Sequence, residues 1–456
     1  MLAALHRRLL LRRRASRAFS SRKTPDYDSF LTPTSRRRRP SAIRALQPLL
    51  ATPGMISLGG GMPNPATFPF SHLRVGLAGD GAGAEELNID GDELTAALQY
   101  SASTGLPPLT ERLINMQRAE HAPPAAAYGA DGGGLKVHVA TGSQDILVKA
   151  FEMLLTPESA LLVEEPTYSG SLAFLQPYGP RLVGVATDGG GLVPASLRAA
   201  LEREGRTAPG RPRVLYTIPV GANPTGGSLT LARKREIYAL AREYDLLVLE
   251  DDPYYFLQFG DGPRVPSLLS MDDDGRVLRF DSLSKLLSSG LRVGFASGPA
   301  PLVDRLELHT QATSLHTSGV SQALVLALLR HWGAGESVTG GLGGFDAHVR
   351  SVARFYETQC DAFLSSAETH LAGLAEWTRP SAGMFSWIKL LNGIEDSDAL
   401  VMERAIGKKV LLVPGTSFMP VAGTATPCVR ASFSTATPEQ IDEALKRLAA
   451  LIREAA

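Results

Sequence analysis

The sequence predicts an α/β fold, with a large domain on a mostly parallel, seven-stranded sheet and a smaller α+β domain after it. Three observations predict it. From about Leu135 to Ser297, short β-branched or apolar runs alternate with helix-period segments, which is how a parallel sheet wrapped by helices reads. After about residue 346 the alternation lapses into one helical stretch and a few short strands. The 456 residues also exceed what one hydrophobic core serves and suit two domains.

In chain order, the strand candidates are LKVHVAT (135–141), ALLVEE (160–165), RLVGVA (181–186), RVLYTI (213–218), DLLVLE (245–250), VLRFD (277–281) and VGFASG (293–298). Helices fit between them at 145–155, 194–204 and 231–244, each with apolar residues at three- and four-residue spacing. Residues 332–345 (WGAGESVTGGLGGF) lack periodicity and read as a mobile surface loop. A helix at 349–371, strands near 384–389 and 429–433, and a last helix follow. That last helix has a readable start, because Thr437 can cap it, Pro438 fits its first position and Gln440 completes a capping box. The resulting division is a leader (1–30), an N-terminal segment (31–71), a large domain (72–331), the Gly-rich loop (332–345) and a small domain (346–456).

The 46 basic and 46 acidic side chains balance, so total charge gives no reason to expect nucleic acid or an anionic membrane as partner. The balance hides an asymmetry: residues 1–40 hold twelve bases and only Asp26 and Asp28 as acids. Up to Pro25 there is no acid at all, and arginines alternate with Leu and Ala before Ser20 and Ser21. This is transit-peptide composition and predicts a mitochondrial address, with a plastid signal or a solvated basic arm on a cytoplasmic protein as the alternatives. No run of about 18 apolar residues appears. Cys360 and Cys428 stand far apart without metal-ligand spacing, which argues against a disulfide scaffold or a zinc site, and no metal is expected.

The chemistry-bearing motifs sit at strand ends, where open α/β sheets place ligands. In DSLSKLLSSGLRVGF (281–295) a lysine lies between an apolar strand and Leu286 and Leu287. Partial desolvation lowers such an amine's pKa and frees it to condense with an aldehyde, so Lys285 is the candidate. Ser282, Ser284 and Arg292 would bind an anion beside it. Taken alone, the stretch fits an ordinary surface lysine in a Ser-rich turn better. ATGSQDILVKAFEML (140–154) puts Ser143 and Gln144 at a strand-to-helix junction that favours a phosphate, or simply an N-cap. In LVLEDDPYYFLQF (247–259) Asp251 precedes Tyr254 by three; a dry aspartate against a heteroaromatic nitrogen keeps that nitrogen protonated, although an acidic turn is the bland alternative. VGANPTGG (220–227) is a tight loop holding Asn223, and EEPTYSG (164–170) offers Tyr168 at another strand end.

In this order the five motifs resemble the class I pyridoxal-phosphate-dependent aminotransferases, of fold type I, from about Pro40 to the C-terminus. MISLGGGMPNPATFPF, ALQYSASTGLP, EDDPYYFLQF, SGLRVGF, GLAEW and RASFSTATPEQ are similar to the kynurenine/2-aminoadipate subgroup. The resemblance implies a transaminase that uses pyridoxal 5'-phosphate and passes an amino group from a 2-amino acid to a 2-oxo acid such as 2-oxoglutarate. It implies Lys285, Asp251 and Tyr254 as catalytic residues. Ser143, Gln144, Tyr168, Asn223, Ser282, Ser284 and Arg292 would hold the cofactor, with Tyr100 joining from the second subunit of a homodimer. Arg430 would clamp the substrate α-carboxylate, and Asn223, Gly61, Tyr100 and Phe385 would line the substrate pocket. The 31–71 segment would fold over that pocket, bringing Ile43 and Arg44; Arg44 would meet a distal carboxylate, or else simply continue the solvated Arg36–Arg39 run. Two departures from the subgroup stand out, the longer Gly-rich loop around Gly340 and VGAN before Pro224. The same cofactor chemistry permits a cysteine-conjugate β-lyase or a decarboxylase. A cofactor-sensing regulator would need a DNA-binding domain that a leader of about forty residues is too short to supply. A nicotinamide dehydrogenase is disfavoured by the lack of a GxGxxG after the first strand.

Overall fold

The computed structural model describes residues 24–42, 46, 49, 52–56, 58–59, 61–78, 85–129 and 133–455. A two-stranded antiparallel ladder comes first, β1 (His72–Gly76) with β2 (Glu86–Asp90). The large sheet follows: β3 (Leu135–Ala140), β4 (Ala160–Glu165), β5 (Arg181–Asp188), β6 (Gly191–Leu192), β7 (Val214–Thr217), β8 (Leu247–Asp251), β9 (Val277–Ser282) and β10 (Gly294–Pro299). Its order is β3-β10-β9-β8-β7-β4-β5-β6, parallel from β9 to β5, with β10 antiparallel to both of its neighbours. The seven expected strands are all present, within two residues at each end. The eighth, β6, is a two-residue return after the Gly189–Gly190 turn, whose tip is fixed by Gly190 N–H donating to Asp188 Oδ1 at 2.7 Å. Two residues carry no periodicity, so the sequence offered no sign of it.

Every residue of β8 and β9 is buried, as expected of parallel strands covered by helices on both faces. Alternation assigns the faces: Leu161, Val163, Tyr216 and Leu249 enter one core, Leu162, Leu215 and Val248 the other. The first core contains helix Ser143–Leu154, whose Ile146, Leu147, Ala150 and Phe151 form a continuous apolar stripe.

The small domain carries a four-stranded antiparallel sheet, β11 (Ala375–Trp377), β12 (Phe385–Leu390), β14 (Cys428–Ser432) and β13 (Val413–Pro414), in that order across the sheet. Helices Gly344–Leu371 and Pro438–Ala455 pack on it, and the latter begins with the expected reciprocal cap: Thr437 N–H donates to Gln440 Oε1 at 2.9 Å and Gln440 N–H to Thr437 Oγ1 at 3.3 Å. The Gly-rich stretch 332–345 is tied to the large domain by Arg112 Nη1 donating to the Ala334 carbonyl at 2.6 Å and by Asn115 Nδ2 donating to that of Gly335 at 3.1 Å.

An N-terminal strap lies across the large domain. Tyr27 Oη donates to the Gly275 carbonyl at 2.6 Å, Phe30 is buried with the Arg213 guanidinium 3.7 Å above its ring, and Thr32 N–H donates to the Met153 carbonyl at 2.9 Å. The folded body therefore starts before residue 30, the boundary expected for the leader, because the aromatic residues Tyr27 and Phe30 belong to its packing rather than to the arginine-rich composition ahead of them. The leader through Lys23 lies outside the described residues, as do Ile43 and Arg44.

Candidate active site

The C-terminal ends of the parallel strands converge on one cleft of about 370 Å³. Ser143 follows β3, Tyr168 follows β4, Asn223 follows β7, Asp251 ends β8, and Ser282, Ser284 and Lys285 lie at and after the end of β9; all line the cleft, together with Gln144, Tyr254 and Arg292. The small domain supplies its far wall through Phe385 on β12 and Arg430 on β14.

One end of the cleft is built for an anion. Helix Ser143–Leu154 points its N-terminus there, and its free N–H groups and dipole favour negative charge. Gly142 precedes it at φ 81°, and a Cβ at that position would collide with the Arg292 guanidinium, so only glycine serves. Arg292 itself adopts the left-handed region at φ 53°, which turns its side chain back so that Nη1 donates to Ser284 Oγ at 3.3 Å and Nη2 to the Thr141 carbonyl at 3.2 Å. Ser282 caps the short turn that carries Lys285, accepting from Ser284 N–H at 3.3 Å. Gln144 Nε2 donates to the Gly170 carbonyl at 2.9 Å, placing the residue beside the loop of Tyr168.

The middle of the cleft holds the reactive groups. Lys285 is half-buried, and burial together with the positive charges of Arg292 and Arg430 holds its amine below the usual lysine range. Such an amine is more readily deprotonated and nucleophilic. Asp251 is buried; burial pushes its carboxyl up to about 7 despite the hydrogen bond from Tyr216, whose hydroxyl donates to Oδ2 at 2.7 Å. Asp251 Oδ1 is buried with no partner among the described residues. An unpartnered buried carboxylate oxygen is costly unless a donor arrives with the ligand. Burial and the nearby Asp251 raise the phenol pKa of both Tyr254 and Tyr168, so both remain hydroxyl donors.

The far end is cationic and flat. The Arg430 guanidinium lies 4.5 Å from the ring centre of Phe385 and 5.1 Å from that of Phe418, and its Nη1 donates to Asn223 Oδ1 at 2.9 Å. Its Nε is buried without a partner among the described residues. A planar fork fixed by two rings and an amide is suited to receive a carboxylate. The cleft thus presents an anion cradle, a lowered amine, a buried carboxylate oxygen with no partner among the described residues and a carboxylate fork.

Two expected residues are elsewhere in this chain. Tyr100 is 49% exposed and packs edge-on to His316 at 6.0 Å, and Gly61 is exposed; neither lines the cleft. Leu315 is 40% exposed and also outside the cleft. Sequence reasoning missed Tyr216, Phe418 and the buried Arg279, which pairs with Asp281 at 2.8 Å, Asp252 at 2.9 Å and Glu250 at 3.4 Å beneath the cleft floor. Asp252, the second acid of LVLEDDPYYFLQF, is a member of that cluster. Tyr216 had a usable signal, since in RVLYTI it is the lone aromatic, and its hydroxyl stands on a strand that is otherwise mostly apolar. A second cleft of about 230 Å³ between the Gly260–Arg264 turn and Arg350 lies away from Lys285. Its arginines are engaged, Arg264 with Glu120 at 2.7 Å and Asp346 at 2.6 Å, and Arg350 with Asp346 at 2.8 Å.

Comparison with known proteins bears on this cleft. The model of the family "Aminotransferase class I and II" matches residues 97–448. The chain is 45% identical to the mitochondrial kynurenine/alpha-aminoadipate aminotransferase of Bos taurus, over 94% of this chain and 99% of that protein. It is 41% identical to the aminotransferase tdiD of Emericella nidulans, over 91% and 93%. Among solved structures, the Pyrococcus horikoshii kynurenine aminotransferase complexed with PMP, kynurenine and its product superposes with a TM-score of 0.70 at 29% identity, covering 94% of this chain and 98% of that one. The Aro8 aminotransferase of Candida albicans superposes with a TM-score of 0.83 at 26% identity, covering 95% and 99%.

Proposed function

We propose, because the chain belongs to the class I and II aminotransferases, that this aminotransferase works with pyridoxal 5'-phosphate and exchanges the amino group of 2-aminoadipate, kynurenine or a related long or aromatic amino acid with a 2-oxo acid. One observation carries the cofactor reading. The unpartnered Asp251 Oδ1 and the Lys285 amine share a cleft that has an anion cradle at one end. A phosphorylated pyridine aldehyde matches all three, offering an anion, a ring N–H and a carbon that condenses with an amine. When bound, it supplies an aldehyde for the amino group and a ring that withdraws the electron pair left on the substrate Cα.

The protein's own groups do the rest. Helix Ser143–Leu154, Ser282, Ser284 and Arg292 would bind the phosphate, Asp251 would receive the ring N–H, Asn223 and Tyr254 would meet the ring hydroxyl, and Tyr168 would cover a ring face. Arg430 receives the substrate α-carboxylate and so fixes which Cα bond is aligned for cleavage. Lys285 Nζ takes the proton from Cα. The substrate class is supported by the kynurenine/alpha-aminoadipate relatives and by Phe385, which gives the carboxylate end of the cleft an apolar wall. Phe385 and Asn223 contact the substrate, and the exposed Gly61, Tyr100 and the 31–71 segment with Arg44 complete the site across a homodimer, Tyr100 reaching the partner's phosphate. Import into mitochondria, with cleavage before Tyr27, fits the arginine-rich leader and the mitochondrial relatives.

The test is a panel of amino acids with 2-oxoglutarate, scored by glutamate formation and by change in the holoenzyme's visible absorbance. Turnover of 2-aminoadipate or kynurenine is the expected result. A yellow holoenzyme that converts neither sinks the substrate assignment, and a protein that binds no pyridoxal phosphate sinks the cofactor assignment.

A further inference from the structure

Asp251 has two carboxylate oxygens with different fates. Oδ1 is buried with no partner among the described residues, whereas Oδ2 accepts from the Tyr216 hydroxyl at 2.7 Å. That hydroxyl in turn accepts from Ser171 Oγ at 3.0 Å. All three side chains are buried. The arrangement follows from register: Tyr216 on β7 pairs with Leu249 on β8, and Asp251, two residues further, projects from the same face. Ser171 comes from helix Ser169–Tyr178, which starts directly after Tyr168. That single helix start therefore delivers both the ring-face tyrosine and the end of the hydroxyl chain. The ring of Tyr216 is fixed in turn by Phe151, edge-on at 5.6 Å.

Two consequences follow. A carboxylate with one oxygen tied by a hydroxyl cannot rotate freely, so the other oxygen keeps its direction before any ligand arrives. A donor to the carboxylate also favours its ionised form, opposing the burial that favours the neutral one. We propose that Tyr216, backed by Ser171, is a positioning residue for the ring nitrogen of the cofactor: it aims Asp251 Oδ1 into the cleft and keeps the carboxylate charged to receive a protonated pyridine. This inference rests on the pyridoxal-phosphate reading and extends it to two residues that do not line the cleft.

The experiment is a double-mutant cycle on pyridoxal phosphate binding, with Tyr216→Phe, Asp251→Asn and the pair, each purified, stripped of cofactor and titrated. Removing one hydrogen bond to a charged acceptor is expected to weaken the cofactor dissociation constant about 10-fold in the wild-type background. In the Asp251→Asn background the same change should cost less than about 2-fold, because the charge that Tyr216 serves is gone. Ser171→Ala should weaken binding in the same direction by a smaller factor and add little to Tyr216→Phe. Apoprotein melting temperatures identify any loss that comes from misfolding. An equal loss in both Asp251 backgrounds, or none in either, overturns the inference, since Tyr216 would then act only in packing or not at all. Failure of the wild-type protein to bind pyridoxal phosphate would instead remove the cofactor reading itself.

Discussion

Arg430 offers the sharpest test of the site. Its guanidinium is sandwiched between Phe385 at 4.5 Å and Phe418 at 5.1 Å and steadied by Asn223 at 2.9 Å, so it is preorganised before substrate arrives. A bidentate contact to a carboxylate comprises two charge-assisted hydrogen bonds of about 1.5–3 kcal/mol each. Losing both in Arg430→Ala should lower kcat/KM for an amino acid by about 10²–10⁴. Arg430→Lys keeps a charge but not the planar fork or its stacking, and an intermediate loss of about 10–10² is expected. The assay compares 2-aminoadipate with the corresponding amine that lacks the α-carboxylate, at equal cofactor content. Wild type should prefer the amino acid strongly, and Arg430→Ala should lose that preference while handling the amine much as before. A variant that discriminates as well as wild type, or that loses both substrates equally, would refute the carboxylate assignment.

Further outcomes follow from the same geometry. In the apoprotein, Lys285 should react with an amine reagent at lower pH than an exposed lysine, and Arg430→Ala should raise the reaction midpoint by removing a positive neighbour; an unmoved midpoint would leave burial and Arg292 as the causes. His138, fully buried with Nε2 2.8 Å from Thr310 Oγ1, is pushed down to about 3 by burial and then by Lys149. A group with a depressed folded pKa contributes stability that is present above its ordinary value near 6.5 and is lost as pH falls toward 3. Between pH 7 and 5 the wild type should therefore lose about 2 kcal/mol more unfolding free energy than His138→Gln, and parallel denaturation curves would contradict this. Arg279→Met should destabilise the protein at neutral pH by about 3–5 kcal/mol, because Asp252, Asp281 and Glu250 would be left buried without their cation. Chemical denaturation measures it, and a neutral result would mean that protons alone suffice to balance those carboxylates.

The seven principal strands were readable because buried strands concentrate apolar and β-branched residues in short runs, and the ends of the parallel ones fixed where the site would form. Lys285 and Asp251 were readable as chemistry-bearing residues for the same reason, each at or just after the end of a strand, and Arg292 because it closes the same Ser-rich motif two residues before β10 starts. Arg430, in contrast, is an ordinary strand residue in β14, and only resemblance singled it out. Phe418 is invisible to pattern because its role depends on a turn from the small domain folding under that arginine. Arg279 lies mid-strand, and nothing local announces that Glu250 on β8, Asp252 just past its end and Asp281 on β9 all surround it. Long-range pairing of this kind is a property of register, and register is written in the whole sheet rather than in any one run. Tyr100 and Gly61 keep their expected roles only if a second chain completes the cleft.

The strap from Tyr27 to Ser35 puts a structural brace immediately downstream of the arginine-rich leader. Phe30 fills a niche on the large domain, and Ser35 Oγ lies 3.1 Å from His309 Nε2. Trimming that stops short of Tyr27 leaves the brace whole, whereas a shortened chain starting at residue 31 would vacate the niche, at about 3 kcal/mol or more for a lost buried phenylalanine. The arginine-rich leader and the first bracing contact are thereby separated by only a handful of peptide bonds, and recombinant versions of this enzyme should begin ahead of Asp26.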